Sequence, residues 1–151
     1  MATDQHHLIK IAVYALLVRD GNVLMARRKN TGFMDGMLGI PAGHLEANES
    51  LKQGMIREAQ EEIAVTIQES DADLVFVGHR YNAETNNDYV DCYFKVSKWV
   101  GTPKINESDK ASDISWLPLD NLPDDVIEYN RVNLEKWQRG ENYYAKVRED
   151  S

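Results

Sequence analysis

Apolar positions change their period several times along this chain, and each change marks a predicted element. Ile9, Ile11, Val13, Ala15 and Leu17 alternate with Lys10, Ala12, Tyr14 and Leu16, the period of two of a mostly buried strand. Asp20-Gly21 predicts a turn, and residues 23–26 the returning strand of a hairpin, followed by a loop over 30–36. A short strand is expected over 38–41. At Ser50, a good N-cap, the period becomes helical and stays so to about Ile63. Residues 74–81 and 88–99 read as an antiparallel pair across the polar turn 82–87, and 114–117 as a last short strand. After Pro123, residues 124–138 carry Val126, Ile127, Val132, Leu134 and Trp137 and stop before Gly140, a second helix. The polar stretch 141–151 is expected to fray. Strands and two helices in this order predict an α+β domain with a mixed sheet between helical layers.

At 151 residues, with 42% apolar and 28% charged residues, the chain suits one domain over 1–151. Its longest apolar run is too short to span a bilayer and the start, residues 1–7, is polar rather than signal-like. A cytoplasmic protein, monomeric or homodimeric, is therefore expected. The lone Cys92 excludes an internal disulfide and reads as a core thiol. A net charge of −8 argues against a nucleic-acid duplex as partner.

One helix stands out chemically. At 100° per residue, Gly54, Glu58, Glu61 and Glu62 share an arc of roughly a quarter-turn beside the apolar arc of Met55, Ile56, Ala59 and Ile63. Acids that merely meet solvent are expected opposite the apolar stripe; these adjoin it. Glu58 and Glu62 stand at i and i+4, a like-charge pair costing about 0.2 to 0.5 kcal/mol unless neutralised. Hard divalent cations take such oxygen ligands, with Mg²⁺ usually held by few carboxylates plus substrate phosphate.

The wider spacing is Gly43, five residues, Glu49, seven residues, Arg57-Glu58, two residues, Glu61-Glu62, one residue, Ala64 and aliphatic Val65. This resembles the signature of the Nudix hydrolase family, in its nucleotide-pool-sanitising, MutT-like branch. Six of the seven fixed letters match, a coincidence expected on the order of once in 10⁷ windows. Ala64 stands where the family has Gly, which puts the helix-end turn in doubt rather than the chemistry. The resemblance covers residues 8–137 and implies an α/β/α sandwich whose loop-helix-loop holds metal against a mixed sheet.

It further implies Glu58, Glu61 and Glu62 as ligands of Mg²⁺ or Mn²⁺, with Gly43 bringing its backbone close and Glu46 a possible addition from the loop. Glu49 and Arg57 resemble a supporting pair, in which the guanidinium forks onto the carboxylate. Residues 99–107, Trp-Val-Gly-Thr-Pro-Lys-Ile-Asn-Glu, resemble a second segment of that branch, in which the last Glu, here Glu107, is a further metal-site carboxylate. The catalytic set is thus Glu58, Glu107, Arg57 and Glu49, with either Glu58 or Glu107 as the base.

For substrate, Arg27 and Arg28 alternate along a strand, so one of them is expected to face the site and bind phosphate. Arg80 is a second phosphate candidate. Phe33, Tyr81, Tyr89 and Tyr129 are candidate base-stacking rings, while Trp116 and His79 read as packing residues. The implied activity is hydrolysis of a nucleoside triphosphate to monophosphate and pyrophosphate by metal-activated water, on a small-molecule nucleotide. The alternatives are a pyrophosphatase of ADP-ribose or a nucleotide sugar, and an inactive nucleotide-binding module of the same fold.

Overall fold

The computed structural model describes residues 5–149; the first four and last two residues of the expected domain lie outside the described residues. Strands β1 (Ile9–Arg19) and β2 (Asn22–Arg28) form the expected hairpin, with Asp20 and Gly21 at φ 52 and 78° in its turn. Next come β3 (Leu38–Gly39), β4 (Ala42–His44), α1 (Leu51–Ile63) and a 3₁₀ turn over Glu69–Asp71. The antiparallel pair β5 (Ala72–Asn82) and β6 (Asn87–Val96), then β7 (Ala111–Pro118), α2 (Glu128–Gln138) and β8 (Tyr143–Lys146), complete the chain.

The sheet is mixed, in the order β3-β2-β1-β6-β5-β8, with β4 added to β1 and β7 to β2. β1 changes partner along its length. Val18 and Arg19 pair with β2, whereas Ala12, Val13 and Tyr14 pair with β4. The sheet therefore splits at β1, and the split opens the space in which the site lies.

Alternation assigns the two faces of the sheet. Val13, Ala15 and Leu17 of β1 with Cys92 and Phe94 of β6 pack on Met55, Ala59 and Ile63 of α1. Ala12, Tyr14 and Leu16 with Phe76 and Tyr93 pack on Leu134 of α2 and on Val126. Two helices on opposite faces of one mixed sheet give the α/β/α sandwich. No described helix is long and apolar enough to cross a membrane.

The ends of α1 follow from local chemistry. Ser50 caps it through a reciprocal pair: the Gln53 N–H donates to Ser50 Oγ at 3.1 Å, and the Ser50 N–H donates to Gln53 Oε1 at 2.8 Å. Ala64 ends it in the left-handed region, φ 58° and ψ 34°, its N–H donating to the Gln60 carbonyl. The turn expected to suit glycine is thus made by an alanine.

Two expectations are corrected, and one strand was missed. The second helix starts at Glu128 rather than 124, because the preceding backbone is engaged by β3: Leu38 N–H donates to the Asp125 carbonyl and Ile127 N–H to the Leu38 carbonyl, both at 2.9 Å. β4 was not foreseen; three residues are too few to show a period. The tail does not fray throughout, since β8 runs parallel to β5 from Val77↔Tyr143 to Arg80↔Lys146. That pairing satisfies backbone groups at an otherwise open edge, and Tyr144 packs on the α2-side core under the Lys136 ammonium, 4.4 Å from the ring centre.

Candidate active site

The carboxylates of α1 are held at the split in the sheet by two supports, Arg57 for Glu58 and Glu61 and the Ala42 N–H for Glu62. Arg57 is the hub. Its Nε and Nη2 fork onto Glu49 at 3.0 and 2.8 Å, its Nη1 donates to Glu58 at 2.8 Å and Glu61 at 3.3 Å, and Nη2 also donates to the His44 carbonyl. Glu46 lies 3.5 Å from Nε. The fork on Glu49 ties the loop before α1 to the helix and holds the Glu49 carboxyl down at about 2, chiefly through Arg57 and then through the Glu46 N–H.

Gly43 explains how close β4 approaches. A Cβ there would lie 2.0 Å from Cδ of Glu58 and 2.1 Å from its Oε1, so only a bare backbone fits against that carboxylate. Gly54 does the same for the loop, where a Cβ would meet Glu49 Oε1 and Leu45 Cδ1 at 2.9 Å. Glu62 accepts from the Ala42 N–H at 3.2 Å. Burial, then the charges of Glu58 and Glu107, push its carboxyl up to about 8.

Glu107 arrives from the other side. Gly101, at φ 101°, passes over the end of α1. Lys104 N–H then donates to the Ile63 carbonyl, and the Asn106 N–H and Nδ2 to the carbonyls of Glu62 and Glu61. These bonds satisfy the helix's last carbonyls and put Glu107 in the same cleft, with Lys110 Nζ at 3.3 Å from its Oε2.

The cleft has a volume of about 760 Å³ and is lined by Glu46, Glu58, Glu61, Glu62 and Glu107 on one part of its wall. Both Arg27 and Arg28 also line it, against the expectation that strand alternation would admit one. The β2–β7 register shifts between Ala26 and Arg28, which breaks the alternation there. Arg27 is already bound to Asp125 at 2.7 Å and the Gly36 carbonyl at 2.8 Å. Arg28 holds the 30–36 loop through the Phe33 carbonyl and Thr31, with its guanidinium 5.6 Å from the Phe33 ring.

Arg80, Tyr89 and Tyr129 form another part of the wall. Tyr81 bonds Asn86 and lines an adjoining pocket instead. Trp116 stacks on Trp99 with ring centres 6.0 Å apart and is a packing residue, as is Cys92. His79 Nε2 is buried without a hydrogen bond, 3.7 Å from Asp88.

The residues that sequence reasoning missed are Asp91, Tyr14, Asn130 and Lys110. Asp91 is fully buried between Arg80 and Tyr14. The available signal was a lone charge between Tyr89 and Tyr93 at alternate positions of one strand, an inward position that an acid occupies only with a partner.

The donor set suits a hard divalent cation, because every candidate ligand is oxygen and four of them are carboxylates lining one cleft, Glu58, Glu61, Glu62 and Glu107. As the side chains stand, the described residues hold no ready cage of three ligands. Glu58 and Glu61 are turned to Arg57, Glu62 to Ala42 and Glu107 to Lys110.

This chain belongs to the Nudix family. The NUDIX domain model matches residues 8–138, and the α/β/α arrangement is that of a MutT NUDIX hydrolase from Burkholderia pseudomallei, with TM-score 0.78, 26% identity, and coverage of 85% of this chain and 98% of that one. It is similar to the 8-oxo-dGTP diphosphatase of Escherichia coli K12, 26% identical over 133 residues, 87% of this chain and 97% of that protein. It is also similar to the NAD-capped RNA hydrolase NudC of Pseudomonas aeruginosa, 27% identical over 119 residues and 79% of this chain, but spans only 40% of that relative's length. Nudix hydrolases in general use divalent metals and act on small nucleotide substrates.

Proposed function

We propose that this protein hydrolyses a phosphoanhydride bond of a nucleoside triphosphate, releasing the monophosphate and pyrophosphate, in the presence of Mg²⁺ or Mn²⁺. The observation that carries the proposal is the meeting of Glu58, Glu61, Glu62 and Glu107 with Arg28 in a single cleft. Glu58, Glu61, Glu62 and Glu107 would hold the cation, with Glu46 and the Gly43 backbone beside them. When bound, a divalent ion offsets phosphate charge and lowers the pKa of water.

The chain's own residues supply the rest. Arg57, anchored on Glu49, positions Glu58 and Glu61. Glu58 or Glu107 takes the proton of the attacking water as a phosphorus–oxygen bond forms and the bridging bond to pyrophosphate breaks. Arg28 is the cation placed to meet a phosphate, because it lines the cleft and its side chain bonds, among the described residues, only the neutral oxygens of Phe33 and Thr31, whereas Arg27's charge is absorbed by Asp125. The net charge of −8 favours a small nucleotide over a duplex. A cytoplasmic setting and a monomer or homodimer complete the reading.

A second reading, cleavage of a nucleoside diphosphate linked to another group, such as ADP-ribose or a nucleotide sugar, is favoured by the similarity to the ADP-ribose pyrophosphatase of Methanocaldococcus jannaschii, 22% identical over 132 residues. One experiment separates these. Triphosphates, ADP-ribose, NAD and nucleotide sugars are incubated with and without Mg²⁺, and products are resolved by ion exchange. Monophosphate plus pyrophosphate from triphosphates is expected; orthophosphate plus diphosphate, or turnover of the diphosphate-linked substrates alone, rejects the first reading. Failure to turn over any of them leaves a nucleotide-binding module.

A further inference from the structure

Arg80 is held as a flat plate. Its guanidinium carbon lies 4.3 Å from the ring centre of Tyr89 and 3.9 Å from that of Tyr129, so tyrosines cover it twice. Its Nε donates to Asp91 Oδ2 at 2.6 Å, and Asp91, with no exposed surface, takes the Tyr14 hydroxyl on Oδ1 at 2.9 Å. Tyr14 is itself stacked on Tyr93, with centres 4.4 Å apart. The two terminal nitrogens of Arg80 make no hydrogen bond among the described residues. They form the remaining edge of a rigidly oriented donor pair in a side chain that lines both the large cleft and an adjoining pocket of about 310 Å³.

That edge does not suit a phosphate. The charge of Arg80 is already matched by Asp91, so the pair presents directed N–H donors with no net positive charge. Arg80 and Tyr129 line the adjoining pocket as well as the cleft, whereas Arg28, Glu58, Glu61, Glu62 and Glu107 line the cleft alone. Arg80 therefore stands where the cleft meets the adjoining pocket, on the side away from the carboxylates. If the phosphates lie at the carboxylates, as the proposed function requires, Arg80 meets the far end of the substrate, its base.

We propose that Arg80, fixed by Asp91, Tyr89 and Tyr129, selects a purine that offers two adjacent acceptors, O6 and N7, as guanine and hypoxanthine do. Two parallel N–H groups match that edge. Adenine places an amino donor where O6 would be, pyrimidines lack the edge, and 8-oxoguanine carries a hydrogen on N7, a donor facing a donor. The inference rests on the nucleotide-hydrolase reading for its orientation, and it separates this chain from its relative that acts on 8-oxo-dGTP.

Because Arg80→Ala would leave Asp91 buried and unpaired, the primary test varies the ligand. GTP, ITP, ATP, CTP, 7-deaza-GTP and 8-oxo-dGTP beside dGTP are compared by kcat/KM on the unaltered protein with Mg²⁺. GTP and ITP are expected to exceed 7-deaza-GTP and ATP by about 5- to 150-fold, the range for one bidentate arginine contact, and dGTP to exceed 8-oxo-dGTP. Arg80→Lys, which keeps a charge for Asp91, should narrow the GTP:ATP ratio. Equal rates for GTP and 7-deaza-GTP, or preference for 8-oxo-dGTP or ATP, overturn the inference while the hydrolase reading stands. Titration of GMP, IMP, AMP and 7-deaza-GMP without metal reads the same edge without turnover. If no triphosphate is cleaved but GMP and IMP bind ahead of AMP and 7-deaza-GMP, the hydrolase reading fails and the base assignment survives; if GMP and IMP show no such lead, the base assignment fails.

Discussion

Gly43 and Glu58 share space that a single methyl group would fill, the missing Cβ falling 2.0 Å from the carboxyl carbon. Glu58 is at the same time fixed by Arg57 at 2.8 Å. In Gly43→Ala the backbone of β4 is locked to Val13 of β1, so the glutamate must swing away. Turnover is expected to fall on the order of 10²-fold, as for a misplaced reacting group, with destabilisation of about 1 to 3 kcal/mol from overpacking. Steady-state rates with thermal melts check this. In a Glu58→Ala background the same glycine change should cost little further activity; a full additional loss would show that Gly43 acts on something else.

Ala64→Gly should stabilise the protein. At φ 58° an alanine carries a steric cost that glycine escapes, partly offset by the greater freedom of glycine in the unfolded chain. A gain of about 0.5 to 1 kcal/mol, or about 1 to 4 °C in Tm, is expected, with kcat unchanged. A lowered melting temperature contradicts it.

Much of this architecture was legible because the elements that matter repeat. β1, the β5–β6 pair and α1 each sustain a period long enough to identify a buried face, and Ser50 marks where α1 starts. The Glu49–Arg57 fork was legible from the resemblance of residues 43–65 to the Nudix signature. β4, β8 and the start of α2 were not, because their boundaries are set by partners distant in sequence: β4 by β1, β8 by the open edge of β5, and residues 125–127 by Leu38. Arg80 was legible as a cation but not as half of a buried pair, since its partner Asp91 comes from the neighbouring strand, where the register sets it opposite Gly78 and diagonal to Arg80. The joint exposure of Arg27 and Arg28 to the cleft depends on a register shift that no local pattern announces.

The Glu49 carboxyl makes stability depend on acid. Held at about 2 against an ordinary 4.5 by Arg57 and the Glu46 N–H, it stabilises the fold fully above about pH 4.5. That contribution is lost as pH falls through 2, because the unfolded chain takes up the proton first. Glu49→Gln should therefore melt below the parent at pH 6, and the gap in Tm should close progressively between pH 4.5 and 2. A gap independent of pH in that window would mean that shape rather than charge holds the loop.

Glu107 depends on the most sequence-distant support of any carboxylate in the cleft. It is carried over the end of α1 by Lys104 and Asn106, and its neighbour there is Lys110. Its charge is felt at Glu58 and Glu62, which is where a proton acceptor or an additional ligand has to stand. Glu107→Gln keeps the shape and removes the charge. Loss of a general base or of one metal contact predicts a 10- to 10⁴-fold fall in kcat, in round orders of magnitude (about those values), with Tm nearly unchanged because the supporting bonds use residues 104 and 106. Glu141→Gln is the control: that side chain makes only surface ion pairs with Lys136 and Arg139, at 3.8 and 3.4 Å, and such pairs contribute little. Both variants are assayed across neutral pH at saturating Mg²⁺. If Glu107→Gln follows the control, its position beside α1 is incidental to the reaction, and Glu58, held by Arg57 against Gly43, is left as the base.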